Sequence, residues 1–346
     1  MSEYLHKKIA KKIKPTTSEY VSGILVRNKV LLSQGITLVE SSRLAHQQQA
    51  QQIIEACLSH SGKAIRIGIT GTPGVGKSTF IENIGQLLIQ KGHRVAVLAI
   101  DPSSQLNRGS ILGDKTRMQH LSVMPEAFIR PSPAGESLGG VARKTRDTMV
   151  LCEAAGFDVI IVETVGVGQS EVAVHSMVDF FLLLLLPGAG DELQGIKRGI
   201  VEMADLIAIN KADDNRMLLA KQAKAAYSNA LHLFPPKDSG WIPQVTLCSA
   251  LGKVGLEGIW SLITDYQLVM KENGYFETNR KGQAKQWMHD TIKHKLLQDF
   301  YDNPSIQSRI VAIETQVANG QLSAFHAAEM LMSSTKTPTN LPEGQE

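Results

Sequence analysis

The chain has 346 residues, of which 43% are hydrophobic and 20% charged, with a formal net charge of +3. That length allows one substantial core with smaller attachments. The small charge, spread along the chain, gives no electrostatic argument for nucleic acid or an anionic membrane as the main partner.

Residues 1–14 are basic but have no apolar core and no small-residue cleavage site, so they do not read as a secretory signal. Glu3 and the lack of arginine also argue against a basic amphipathic targeting peptide. Residues 18–60 read as helical, with Gly35 expected to break one helix from the next and Ser61-Gly62 as the exit. A helical extension over 1–62 is the expectation. The cysteines, Cys57, Cys152 and Cys248, make no CxxC or Cys/His pattern. That reads as reduced thiols in a cytoplasmic protein, not as a disulfide framework.

From residue 64 to about 267, apolar runs alternate with helix-like segments. Strands are expected at 64–70, 95–101, 128–130, 158–164, 180–186, 206–210 and 244–249, with helices at 77–91, 138–155 and 215–231 between them. This is the βαβ pattern of an α/β fold with a mostly parallel central sheet, assigned to a domain over 63–272. The most apolar run, 180–186, is far shorter than the roughly 20 residues of a spanning helix and reads as a buried parallel strand. In such sheets phosphate chemistry sits at the carboxyl edge of the strands.

The first motif follows the first strand. Residues 71–78 read GTPGVGKS, a full match to GxxxxGK[ST] between a strand and a helix. Glycines let backbone amides turn inward around a β-phosphate, and the helix N-terminus adds its positive dipole end. The nucleotide-binding set here is Gly71, Thr72, Pro73, Gly74, Val75, Gly76, Lys77, Ser78 and Thr79. Lys77 is expected to reach the β- and γ-phosphates and Ser78 to ligate Mg²⁺.

Carboxylates close two later strands. Asp101 ends 95–101, and Asp114 follows in GDK; both are candidates for the metal shell or for orienting water, the alternative for each being a solvated loop acid. Glu163 closes the strand DVIIVE, the position a metal-bound phosphate requires. Gly166 would let a backbone amide approach the γ-phosphate, while Asp158 reads as a cap at the strand start. The run GVGQS over 166–170 is expected to respond to the γ-phosphate.

Residues 187–199, PGAGDELQGIKRG, combine four glycines with charged residues as the fifth strand ends. They read either as a solvated loop or as a third switch reporting nucleotide state to a partner. Next comes NKAD over 210–213. The Asp213 carboxylate matches guanine N1–H and its exocyclic amine, a donor pair adenine lacks. Asn210 would brace the loop, and Lys211 would lie against the base. Ser249, Ala250 and Leu251, at another strand end, supply the second base contact. Together these predict GTP over ATP.

After Asn273-Gly274 strand signals vanish, and residues 283–301, 305–318 and 323–332 read as three amphipathic helices with breaks at Asn303-Pro304 and Asn319-Gly320. So short an appendage buries little surface alone, so it is expected to pack on a partner or a second copy. Residues 273–332 are assigned as a helical dimerisation region, and 333–346 as a disordered tail.

The succession GTPGVGKST, DPSS, GDKTRM, VETVGVGQSE, LPGAGDELQGIKRGI and NKAD resembles the methylmalonyl-CoA mutase-associated GTPases, the MeaB/ArgK family, over about residues 37–267. The resemblance implies a SIMIBI-class P-loop GTPase that hydrolyses GTP with Mg²⁺ and forms a homodimer through C-terminal helices. It also implies a chaperone role toward an adenosylcobalamin-dependent methylmalonyl-CoA mutase, gating cofactor loading and protecting the enzyme. By motif match, Lys77, Ser78, Asp101, Asp114 and Glu163 take the phosphate and magnesium roles, and Asp191, Gln194 and Lys197 fall in the segment linking GTPase to mutase. Thr72 departs from the more hydrophobic residue expected there. A second label in this family is a transport-linked ATPase or kinase, against which NKAD and the lack of a kinase catalytic loop both argue. A maturation GTPase for another metalloenzyme would usually carry His-rich or Cys/His metal sites, which this sequence lacks.

Overall fold

A computed structural model describes residues 14–100, 118–131, 138–164, 170–188 and 198–334. Among these residues seven strands form one sheet in the order β3-β2-β4-β1-β5-β6-β7. They are β1 (Ile65–Gly71), β2 (Val95–Ile100), β3 (Ala127–Arg130), β4 (Val159–Thr164), β5 (Phe180–Leu185), β6 (Leu206–Ile209) and β7 (Gln244–Leu247). Every neighbouring pair is parallel. β2, β4 and β5 are buried along their whole length, which is why they read as unbroken apolar runs.

Helices cover both faces. Ile65, Ile67 and Ile69 of β1 pack with Phe80, Ile84 and Leu88 of α4 (Lys77–Gln90) and with Ile259 and Ile263 of α10 (Leu256–Glu272). A second cluster joins Leu183 and Leu185 to Ile207, Ile209 and Tyr227, the last on α9 (Met217–Leu231). Burying one such side chain is worth about 1.5–3 kcal/mol relative to leaving it exposed.

The N-terminal segment forms three helices, α1 (Thr17–Leu25), α2 (Lys29–Glu40) and α3 (Leu44–Cys57). Gly35 lies inside α2 and is not a break. It is a packing position, where an added Cβ would meet Ile24 at 3.5 Å and Leu151 at 3.8 Å. The breaks fall on either side of α2. Asn28 caps it, its side chain accepting from Val30 and Leu31 amides, after Arg27 at φ 67°. Of the remaining helices, α5 (Gln119–Val123) precedes β3, α6 (Leu138–Ala154) follows it, and α7 (Ser170–His175) and α8 (Arg198–Met203) flank β5 in sequence.

Contacts divide the chain into two compact units, one ending at Gln283 and the other beginning at Ala284. Helix α11 (Tyr275–Tyr301) starts eight residues earlier than the periodicity suggested, at residue 275 against 283. The reason lies in the first unit. Phe276 is buried there, Arg280 donates to Asp179 at 2.6 Å and to the Ala64 carbonyl at 2.6 Å, and Gln283 donates to the Val178 carbonyl at 2.8 Å. The second unit adds α12 (Pro304–Ala318) and α13 (Ala324–Ser333) around Ile306, Ile313, Ala327 and Leu331.

Candidate nucleotide site

β1 ends at Gly71 and α4 begins at Lys77, so the glycine-rich loop occupies the turn between them. Two of its glycines are dictated by geometry. Gly71 has φ 153°, and a Cβ there would lie 2.4 Å from the Leu184 carbonyl oxygen. Gly76 has φ 95° at the helix cap, with Asn210 Nδ2 3.0 Å from the place of a Cβ. The first-turn amides of α4 have no intrahelical acceptor, which suits them to phosphate oxygens. Lys77 Nζ donates to the Gly71 carbonyl at 2.7 Å, so the ammonium is folded back across the loop. Burial pulls the Lys77 pKa below its usual value, against which the charges of Glu163 and Glu171 push it back up.

Glu163 comes from β4, the strand beside β1. Register places it next to Ile69 on one side and Ala99 of β2 on the other, and it is buried. Thr164, one residue on, donates its hydroxyl to Thr70 at 2.9 Å. The carboxylate therefore lies at the same sheet edge as the glycine-rich loop. Asp158, at the other end of β4, accepts from the Arg94 amide and pairs with His93, both at 2.7 Å. Glu171, which the sequence reading left without a role, is buried in the first turn of α7 and acts electrostatically on Lys77. Its signal was the acid closing the run VGVGQSE.

The Ser78 hydroxyl and the Glu163 carboxylate are hard oxygen donors of the kind Mg²⁺ takes, and Mg²⁺ usually needs only one or two protein ligands beside substrate phosphates. Asp101, Asp114 and Gly166 lie outside the described residues, as do Asp191, Gln194 and Lys197.

The second half of the site follows β6 and β7. Asn210 is buried, donating Nδ2–H to the Val75 carbonyl at 2.8 Å while its Oδ1 accepts the Ala250 amide at 2.9 Å. One side chain thus ties the glycine-rich loop to both later loops. Lys211 sits at φ 57°, a strained conformation for a non-glycine residue, and donates Nζ–H to the Gly74 carbonyl at 2.8 Å. Ser249 donates its hydroxyl to Asp213 at 2.6 Å. Leu251 is exposed beside them. A phosphate-binding loop, an ammonium, a buried carboxylate and a second carboxylate braced at the base end can together hold a nucleoside triphosphate.

Comparison with known proteins agrees with this chemistry. The family described as "Methylmalonyl Co-A mutase-associated GTPase MeaB" matches residues 32–305. A "Putative GTPase" of Caulobacter vibrioides is 50% identical over 310 residues, 90% of this chain and 95% of the relative. The "Methylmalonic aciduria type A homolog, mitochondrial" of Mus musculus is 44% identical over 326 residues, 91% of this chain and 79% of the relative. Among solved structures, one titled "Crystal structure of LAO/AO transport system kinase" superposes with a TM-score of 0.74 at 37% identity, covering 94% of this chain and 99% of that one.

Proposed function

The chain belongs to the family of methylmalonyl Co-A mutase-associated GTPases, MeaB, and from that premise we propose that its GTP hydrolysis serves an adenosylcobalamin-dependent methylmalonyl-CoA mutase. In this reading the GTPase gates loading of the mutase cofactor and protects the enzyme. The observation that carries the proposal is the family match across residues 32–305, which includes the whole of the 187–199 segment.

Within the site, Lys77 offsets charge on the β- and γ-phosphates, and the first-turn amides of α4 hold the β-phosphate. Ser78 and Glu163 would hold Mg²⁺, with Asp101 and Asp114 in its outer shell or orienting water. The metal supplies neutralisation of phosphate charge. Hydrolysis breaks the bond between the γ-phosphorus and the bridging oxygen of GDP while a water oxygen bonds to phosphorus, releasing GDP and phosphate. Asp213, held by Ser249, accepts from the guanine edge. Asp191, Gln194 and Lys197 couple nucleotide state to the mutase.

A homodimer is part of the proposal. In the second unit an apolar groove of about 980 Å³ is lined by Leu297, Phe300, Ile313, Val317, Leu331 and Met332, among others. A second copy of the same helices is the occupant that suits it. The setting proposed is the cytoplasm. No helix among the described residues is long and apolar enough to cross a membrane.

The kinase title of the solved relative does not transfer, because a carboxylate in NKAD discriminates for guanine and the chain has no protein-kinase catalytic loop. The test is to measure GTP turnover of wild type and Lys197→Ala with and without the mutase. The mutase should accelerate the wild type and accelerate Lys197→Ala far less, with nucleotide affinity nearly equal in both. Equal stimulation would make 187–199 a bystander; no stimulation of either would remove the mutase as client.

A further inference from the structure

Glu40, the C-terminal residue of α2, holds two cationic side chains, Arg130 and Lys144. The Glu40 carboxylate accepts from Arg130 Nε at 2.9 Å and from Arg130 Nη2, and its backbone carbonyl accepts from Lys144 Nζ. Arg130 also donates to the Thr37 hydroxyl at 3.3 Å, one turn back on α2. At the other end of the same helix, Lys29 donates to the Ala127 carbonyl at 2.6 Å and to the Met124 carbonyl at 3.2 Å, so α2 grips both ends of β3.

The partners of Glu40 are placed with respect to hydrolysis. Arg130 is the last residue of β3, and Lys144 lies in the second turn of α6, so both flanks of the β3–α6 connection are fastened to one residue. A small cavity lined by Glu40, Leu98, Ala99, Arg130, Lys144 and Thr145 lies at this junction. Leu98 of β2 is the register partner of Arg130, and Ala99 is the register partner of Glu163. Two backbone pairings and the Leu98–Ala99 peptide bond therefore link Arg130 to Glu163, whose side chains leave opposite faces of the sheet.

Among the described residues β3 is an edge strand with β2 as its one neighbour, and no second ladder of hydrogen bonds there supports its end. A two-point Arg–carboxylate grip fixes distance and orientation together, which a single ammonium cannot do. Lys144 supplies positive charge where the α2 dipole is negative and satisfies a terminal carbonyl. Side chains of Arg130 and Glu40 are 23% and 15% exposed, so the pair is partly withdrawn from screening.

We infer that Glu40 is a positioning residue for hydrolysis: through Arg130 and the β3–β2–β4 pairings it holds the strand end that carries Glu163, making the N-terminal helices part of the turnover machinery. The inference rests on the reading of Glu163 as the metal-side carboxylate.

The experiment compares full-length Glu40→Gln, Glu40→Ala and Glu163→Gln. It measures GTP turnover, GDP affinity, the Mg²⁺ concentration giving half the maximal rate, and thermal unfolding. Glu40→Ala should lower kcat by about 10- to 100-fold, the scale of a small misplacement of a catalytic group. It should also raise the Mg²⁺ requirement while GDP affinity stays within about twofold of wild type, because the glycine-rich loop and NKAD lie on other strands. Glu40→Gln should show the same split with a smaller loss. A structural staple would lower the unfolding temperature and scale all activities with the folded fraction, leaving the Mg²⁺ requirement unchanged. That result, or wild-type kcat in a folded Glu40→Ala, overturns the inference. If Glu40→Ala does not fold, Glu40→Gln decides. Should Glu163→Gln turn over at the wild-type rate, the site reading fails and this inference with it. With Glu163→Gln inactive and both Glu40 variants normal, only the inference fails.

Discussion

Ser249 donates its hydroxyl to Asp213 Oδ2 at 2.6 Å, across 36 positions of sequence. The serine is buried and its hydroxyl also accepts the Gly252 amide at 3.0 Å, so the hydroxyl hydrogen is directed toward the carboxylate. One acceptor lone pair of Asp213 is thereby used within the protein, and Ser249 fixes the orientation of the carboxylate.

We predict that this braced carboxylate makes the site guanine-specific. Asp213→Ala should weaken GTP binding by several kcal/mol, since the guanine donors would lose their acceptor, while Ser249→Ala, which removes only the brace, should cost less. Calorimetric titration of GTP and ATP with Mg²⁺ present checks this. Equal affinity of the wild type for the two nucleotides would end the guanine assignment.

Lys77 and Glu163 should separate binding from turnover. Lys77→Ala removes the cation now held at 2.7 Å by the Gly71 carbonyl and should lose both nucleotide affinity and hydrolysis. Glu163→Gln keeps the shape of the strand end and should bind GTP well but lose Mg²⁺-dependent hydrolysis. Phosphate release assays paired with fluorescent-nucleotide binding distinguish the two. Parental turnover in Glu163→Gln would remove it from the metal shell.

Dimerisation should depend on the second unit. A chain ending at Gln283 keeps Met270 and Phe276 in the core and the 2.6 Å contact of Arg280 with Asp179. It should be a folded monomer that still binds GTP, whereas the full chain should be a dimer. Light scattering gives the mass of each, and an unchanged dimer after truncation would move the interface elsewhere.

Native thiols should be inert. Cys57, Cys152 and Cys248 are free and buried. Burial pushes the Cys248 thiol up to about 12 and raises Cys57 and Cys152 as well. A raised thiol pKa lowers the reactive thiolate fraction, so at pH 8 almost none is present. A chromogenic disulfide reagent should label the native protein slowly and label all three cysteines on unfolding. Rapid labelling of Cys248 in the native state would mean that the β6–β7 edge opens.

Much of this protein was legible as sequence because the signals are local. Seven apolar runs gave strands whose ends moved by no more than two residues, for instance 95–101 against Val95–Ile100 and 244–249 against Gln244–Leu247. GTPGVGKS and NKAD are contiguous, and their glycine and carboxylate requirements belong to the loop itself. Gly35 misled because a glycine signals backbone freedom from sequence, whereas here packing against Ile24 and Leu151 decides. The start of α11 was missed because Phe276 and Arg280 are held by residues far away in sequence.

Only the tertiary structure decided which strand ends meet. Periodicity marks each strand separately and is silent on neighbours, so nothing in DVIIVE says that β4 lies between β2 and β1 and sets Glu163 beside Ile69. The bond from Asn210 to Val75 spans 135 positions, and the grip of Glu40 on Arg130 spans 90. Such contacts are chosen by competition among packings of the whole chain, where sheet order and register determine which buried polar groups find partners. The residue types of the site are therefore written in the sequence, and their distances from one another are set by the sheet.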